Sequence, residues 1–156
     1  MTTATNLTAA LSSAATHAEA SSVFESVRAD ESSLVCRAKE APSPVDYRIE
    51  LEGDRLWASW TTEDRYLSQS IEADLMWTKD DLADMIDEEL VDLGWSGGQL
   101  GPMEHFRDQR MLYVFRQALP VEPGALGEHD GKRLAACVLA FDAVFRERGD
   151  MAPEED

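Results

Sequence analysis

Basic residues are scarce in this chain of 156 residues. Fourteen Lys and Arg stand against 31 Asp and Glu, for a net charge of −17. That balance excludes a nucleic-acid binder, which needs Lys and Arg to neutralise phosphates, and an anionic lipid surface repels it for the same reason. Cysteine is nearly absent too. Cys36 and Cys137 lie far apart without metal-type spacing, so neither a disulfide framework nor a zinc site is indicated. Long hydrophobic runs are missing, which leaves nothing able to span a bilayer. Met1 to Ser22 has no Lys or Arg and no unbroken apolar run, so it reads as neither a signal nor a transit peptide, and a cytoplasmic protein is expected. The Asn6-Leu7-Thr8 sequon would matter only in a secreted chain. A hydrophobic fraction of 44% is still enough for a packed core, and the length suits one domain.

The familiar signatures of chemistry are missing as well. No G-x-G-x-x-G follows a strand, and there is no Walker A loop. His17, His105 and His129 are scattered, without H-E-x-x-H or any similar ligand spacing. The acidic run from Asp80 to Glu89 lacks the calcium-loop pattern and reads as a solvated helix face. Gly94-Trp95-Ser96-Gly97-Gly98 satisfies G-x-S-x-G, but a nucleophile elbow needs a strand before the Ser and a helix after it. Here a helix is expected before and a strand after. Carboxylates are too many for any pair to be singled out as acid and base. A non-enzymatic protein with no cofactor and no metal is expected.

What is present is patterning. Residues 1–16, mostly Thr, Ala, Ser and Leu, read as a mobile tail or a frayed extension of the first helix. Ser22-Val23-Phe24-Glu25 fits a capping box and predicts a short helix to about Ala29. Pro42-Ser43-Pro44 reads as a linker. Tyr47, Ile49 and Leu51 alternate with polar residues, and Gly53-Asp54 suits a two-residue turn. That turn would pair Glu52 with Arg55, Leu51 with Leu56, Ile49 with Ala58 and Tyr47 with Trp60, placing every apolar partner on one face. A second turn at Glu63-Asp64 would continue the meander, pairing Trp60 with Leu67 and Leu56 with Ile71. Trp57, Ser59, Tyr66, Ser68 and Ser70 then collect on the outer face.

Thr78 reads as the N-cap of a helix carrying Leu82, Met85, Ile86, Leu90 and Leu93, with Gly94 as its stop. Strands follow at about Met103–Phe106 and Arg110–Leu119. The run Met111-Leu112-Tyr113-Val114-Phe115 is apolar on both faces, which implies cover on both sides by helices or by another subunit. A final helix from Asp130 to Arg148 buries Leu134, Cys137, Val138, Phe141, Val144 and Phe145, and residues 149–156 form an acidic tail. The expectation is an α+β domain over residues 17–148: a five-stranded antiparallel sheet with three helices, in the order α-β-β-β-α-β-β-α.

The meander Tyr47–Leu75, the helix ending at Leu93-Gly94, the hairpin Met103 to Leu119 and the helix Leu134 to Phe145 together resemble the type III secretion chaperone-like fold, which includes the class I secretion chaperones and the YbjN-like proteins. The resemblance implies a homodimeric chaperone or adaptor that holds an extended segment of a client protein. A YbjN-like regulatory or sensory domain with a small-molecule pocket is the alternative. Trp57, Tyr66, Met111, Tyr113 and Phe115 are the candidate partner contacts, since Trp and Tyr are enriched where proteins meet.

Overall fold

The computed structural model describes residues 3–152. Its elements run α1 (Thr3–Ala20), β1 (Phe24–Ala29), β2 (Ser33–Ala38), β3 (Val45–Glu52), β4 (Arg55–Thr62), α2 (Arg65–Thr78), α3 (Leu82–Asp92), β5 (Glu104–Arg107), β6 (Tyr113–Ala118) and α4 (Gly131–Phe145), with three short 3-10 turns after β6. The class is α+β, as expected, but among the described residues six strands and four helices stand in place of five and three, and the order is α-β-β-β-β-α-α-β-β-α instead of α-β-β-β-α-β-β-α. All strand pairs are antiparallel and the sheet order is β1-β2-β3-β4-β6-β5.

The β3–β4 hairpin has the register its turn dictates. Glu52 pairs with Arg55, Leu51 with Leu56, Ile49 with Ala58 and Tyr47 with Trp60. Gly53 holds φ at 65°, a left-handed value that a side chain would strain. The meander does not continue past Thr62. Asp64 is the N-cap of α2, accepting from the backbone N–H groups of Tyr66 and Leu67 at 2.9 and 3.2 Å. Leu67 and Ile71, one helical turn apart, then enter the core. On the side away from β3, Trp60 pairs with Phe115 on β6 and not with Leu67. Gln69, an apolar-face misfit in a strand, is simply exposed on the helix.

Two further expectations give way. Phe24–Ala29 is strand β1, not a helix: it pairs with β2, which in turn pairs with β3, so long-range ladders override the local capping pattern. Residues 3–16, read as tail, form most of α1, and Leu7, Ala10, Leu11, Ala14 and Ala18 are all buried. Small residues let this helix lie close to α4. A Cβ on Gly131 would collide with Ser13, so the contact there requires glycine. The segment after α4 also docks: Gly149 packs on Ser70 and Ile71 of α2, and the Asp150 N–H donates to Ser70 Oγ at 2.9 Å. Residues 153–156 of the expected acidic tail lie outside the described residues.

The N-cap expected at Thr78 moves to Asp81, which accepts from the Asp84 N–H. Leu82, Ile86 and Leu90 are buried as the spacing of α3 requires. α1 and α4 pack on the inner face of the sheet, on β1–β2 and β3–β4, with α2 beside β4 and α3 beside α4. Trp60, Phe115, Phe141 and Phe145 form the aromatic centre of the core. No helix among the described residues is long and apolar enough to cross a membrane.

Candidate protein-binding surfaces

With the helices on one side, the alternation of the strands sends Val35, Arg37, Asp46, Arg48, Glu50, Glu52, Trp57, Ser59, Thr61, Phe106, Val114 and Arg116 to the opposite face. Two shallow clefts lie on it, of about 520 Å³ beside Arg37, Arg48, Thr61 and Leu112, and about 570 Å³ between Trp57, Phe106, Arg110 and Val114.

Cross-strand pairing explains how this face holds its charge. Asp46 Oδ1 takes the Arg37 Nε at 2.6 Å, and its Oδ2 takes Arg48 Nη2 at 3.3 Å. Arg48 Nε also donates to Thr61 Oγ1 at 3.1 Å. Arg110 bridges Glu50 and Asp108, each at 2.9 Å. Arg116 joins Glu52 and Glu104, and its guanidinium lies between two rings, 3.7 Å from Trp57 and 4.7 Å from Phe106. Long arginine stems lie across the sheet so that even Ser59 and Thr61 are buried. The hydrogen bond to Asp46 raises the pKa of Arg37, that to Glu50 raises Arg110, and burial lowers Arg48. The result is a face of matched charges on a strongly acidic protein.

The five candidate contacts do not form one surface. Trp57 lies on the open face, partly exposed. Tyr66 is on α2, 78% exposed, rather than beside Trp57 on the sheet. Met111 is in the β5–β6 turn at φ 67°, also exposed, while Tyr113 points to the inner side, half-buried beneath Arg107. Phe115 is a core residue, stacked on His105 at 3.8 Å and tilted against Phe145, and cannot meet a partner from there. The doubly apolar run is covered in part by the chain itself: Phe115 by the core, and Val114, 3% exposed, among the side chains of the open face, while Met111 stays exposed.

Sequence reasoning overlooked Phe106, the arginine ladder, and two residues of α2, Met76 and Trp77, which are 80% and 88% exposed. The ladder had a signal in the alternation of Arg48, Glu50 and Glu52. The α2 pair had one only for a reader who took Asp64 as a cap, since Leu67, Ile71 and Leu75 then point inward and leave Trp77 outside.

Ser96 lies in the exposed loop after α3, where Trp95 donates to the Gly98 carbonyl at 2.7 Å, and not on a strand-to-helix turn. Both cysteine thiols are pushed up to about 12 by burial. Among the described residues, no group of three or more His, Cys, Asp or Glu is placed to hold a metal ion. Compared with known proteins, the chain matches no family model, no curated protein and no solved structure.

Proposed function

We propose that this protein is a non-catalytic chaperone or adaptor, homodimeric, that holds an extended segment of a client protein, in the manner of the type III secretion chaperone-like proteins it resembles. One observation carries the reading: among the described residues a whole face of the six-stranded sheet is left without a helix and bears two clefts, one of them flanked by Trp57, Phe106 and Val114. The matched Arg–carboxylate ladder supports it further. It offers both donors and acceptors to a peptide backbone, while the net charge elsewhere keeps a surface with exposed rings in solution.

The test is crosslinking of the protein in its own cells, identification of the partner, and titration of a peptide spanning the crosslinked segment. Trp57→Ala is expected to weaken that peptide at least ~10-fold, as for an aromatic anchor of an interface. A crosslinked peptide that binds Trp57→Ala as tightly as the parent would overturn the reading.

The YbjN-like alternative, a regulatory domain with a small ligand, has its own observation in a cleft of about 670 Å³ between the ends of β1 and β2 and helices α3 and α4. Val23, Leu93 and Leu139 give it apolar walls, and Asp142 and Arg146 a polar end. A metabolite that raises the melting temperature and loses that effect in Leu139→Glu would favour it over the client.

A further inference from the structure

One cleft gathers the ends of three helices. Ser21 and Ser22 follow α1, Leu93 caps α3, and Arg146 and Glu147 close α4, and all of them line the same opening of about 670 Å³. A helix carries partial negative charge at its C-terminal end, so three such ends together favour a cation. The side chains add to that preference. Glu40, Glu89, Asp142 and Glu147 line the cleft against Lys39 and Arg146, which leaves a balance of −2. Both of its cations are already engaged: Lys39 Nζ donates to the Ser22 carbonyl at 2.6 Å, and Arg146 Nη2 holds Asp142 Oδ2 at 2.6 Å. Glu40, Glu89 and Glu147 have no ion pair among the described residues.

Asp142 connects the cleft to the interior. It is 3% exposed, yet it lines this opening and also a neighbouring one of about 260 Å³ beside Met151. Arg146 occupies only one of its oxygens. Oδ1 makes no hydrogen bond, although the Tyr47 hydroxyl lies near. A buried carboxylate oxygen without a donor is costly, and a cationic donor in the cleft would relieve that cost. A metal ion does not fit the arrangement, because no three carboxylates here converge as metal ligands. Separated carboxylates call for separated positive charges, and Val23, Leu93 and Leu139 call for an apolar chain between them. Resting on the small-ligand reading of this cleft, we propose that its ligand is an aliphatic diamine, with one ammonium at Asp142, the methylenes along Leu93 and Leu139, and the other ammonium at the outer carboxylates Glu89 and Glu147.

Calorimetric titration of the full chain with cadaverine at low salt tests this. Binding is expected, weakened at least ~10-fold in Asp142→Asn, which removes a buried charge partner. Glu89→Gln, on α3, should weaken it about 3-fold, as for a partner nearer the solvent, and serves where Asp142→Asn perturbs the fold. Pentylamine, with the same chain and one ammonium, should bind more weakly than cadaverine, and calcium at equal concentration should not displace the diamine. Cadaverine that binds parent and variants alike, or that yields to calcium, is held by net charge alone and overturns the inference. Failure of cadaverine to bind the parent overturns it too. If another metabolite then raises the melting temperature of the parent and not of Leu139→Glu, the small-ligand reading stands without the diamine; a chain that no metabolite stabilises ends both.

Discussion

Asp142, near the C-terminal end of α4, is only 3% exposed, and burial outweighs its ion pair with Arg146 to hold its carboxyl above the usual carboxylate range. The helix C-terminus adds an unfavourable dipole for an anion. A carboxyl raised on folding stabilises the native state below its unfolded pKa, and that contribution is lost as pH rises through the folded value. Asp142→Asn should therefore melt a few degrees higher than the parent at pH 7, with the gap closing as pH falls towards 4. Calorimetry across that range decides it; a loss that is largest at pH 7 and fades towards pH 4 would mean that the Arg146 pair matters more than the burial of the charge. Asp64 has the opposite sign. The hydroxyl of Ser43, at 2.5 Å, and the N–H groups of Leu67 and Tyr66 hold its carboxyl below the ordinary value. Its contribution is present at neutral pH and is lost as pH falls through the folded value. Asp64→Ala should cost about 1 kcal/mol at pH 7, the usual worth of an N-cap, and should flatten the acid limb of the stability curve.

At the scale of elements, α1 and α4 supply the sharpest expectation. Replacing glycine by alanine inside a helix ordinarily gains about 1 kcal/mol. Gly131 opens α4, and a methyl there would collide with Ser13 of α1. Packing wins this competition, so Gly131→Ala should destabilise, and Leu11→Ala, which removes a fully buried side chain of α1, should cost about 2–5 kcal/mol by urea titration. A chain indifferent to Leu11→Ala would restore the reading of a tail. Why α1 escaped notice is clear from its composition. Its buried face is mostly alanine, and its worth lies in how closely it approaches α4, a property of the pair and not of the segment. β1 and β2 escaped for a related reason, since their pairing with β3 is non-local. The β3–β4 hairpin was legible because a two-residue turn and strict alternation fix its register within the single stretch Val45–Thr62. α2 stood between the two cases: Asp64 suits a turn and a helix cap equally, and a segment as short as Leu67–Ile71 satisfies both periods. That single ambiguity moved Tyr66 from the sheet face to a helix and hid Trp77.

Across the whole molecule two electrostatic effects compete. Ion pairs on the open face, among them Arg37–Asp46, Arg110–Glu50 and Arg116–Glu104, are weakened by salt. Partly exposed pairs of this kind are worth about 0.2–1 kcal/mol each, and partial exposure keeps part of their energy screened already. Against them stands the mutual repulsion of an excess of 17 negative charges, which acts over the whole surface and is relieved once the screening length falls below the spacing of unpaired charges. Most carboxylates of α3 and its flanks, such as Asp84, Glu88 and Asp92, are exposed. The repulsive side therefore has more members than the attractive one. Raising NaCl from about 0.02 to 0.5 M should raise the melting temperature by several degrees. The comparison is best made at low protein concentration, so that association of the chain does not contribute to the gain. A melting temperature that fell with salt would show instead that the arginine ladder outweighs the net charge. The open face would then be a structural device that holds the sheet together, leaving it a poorer candidate for receiving another chain.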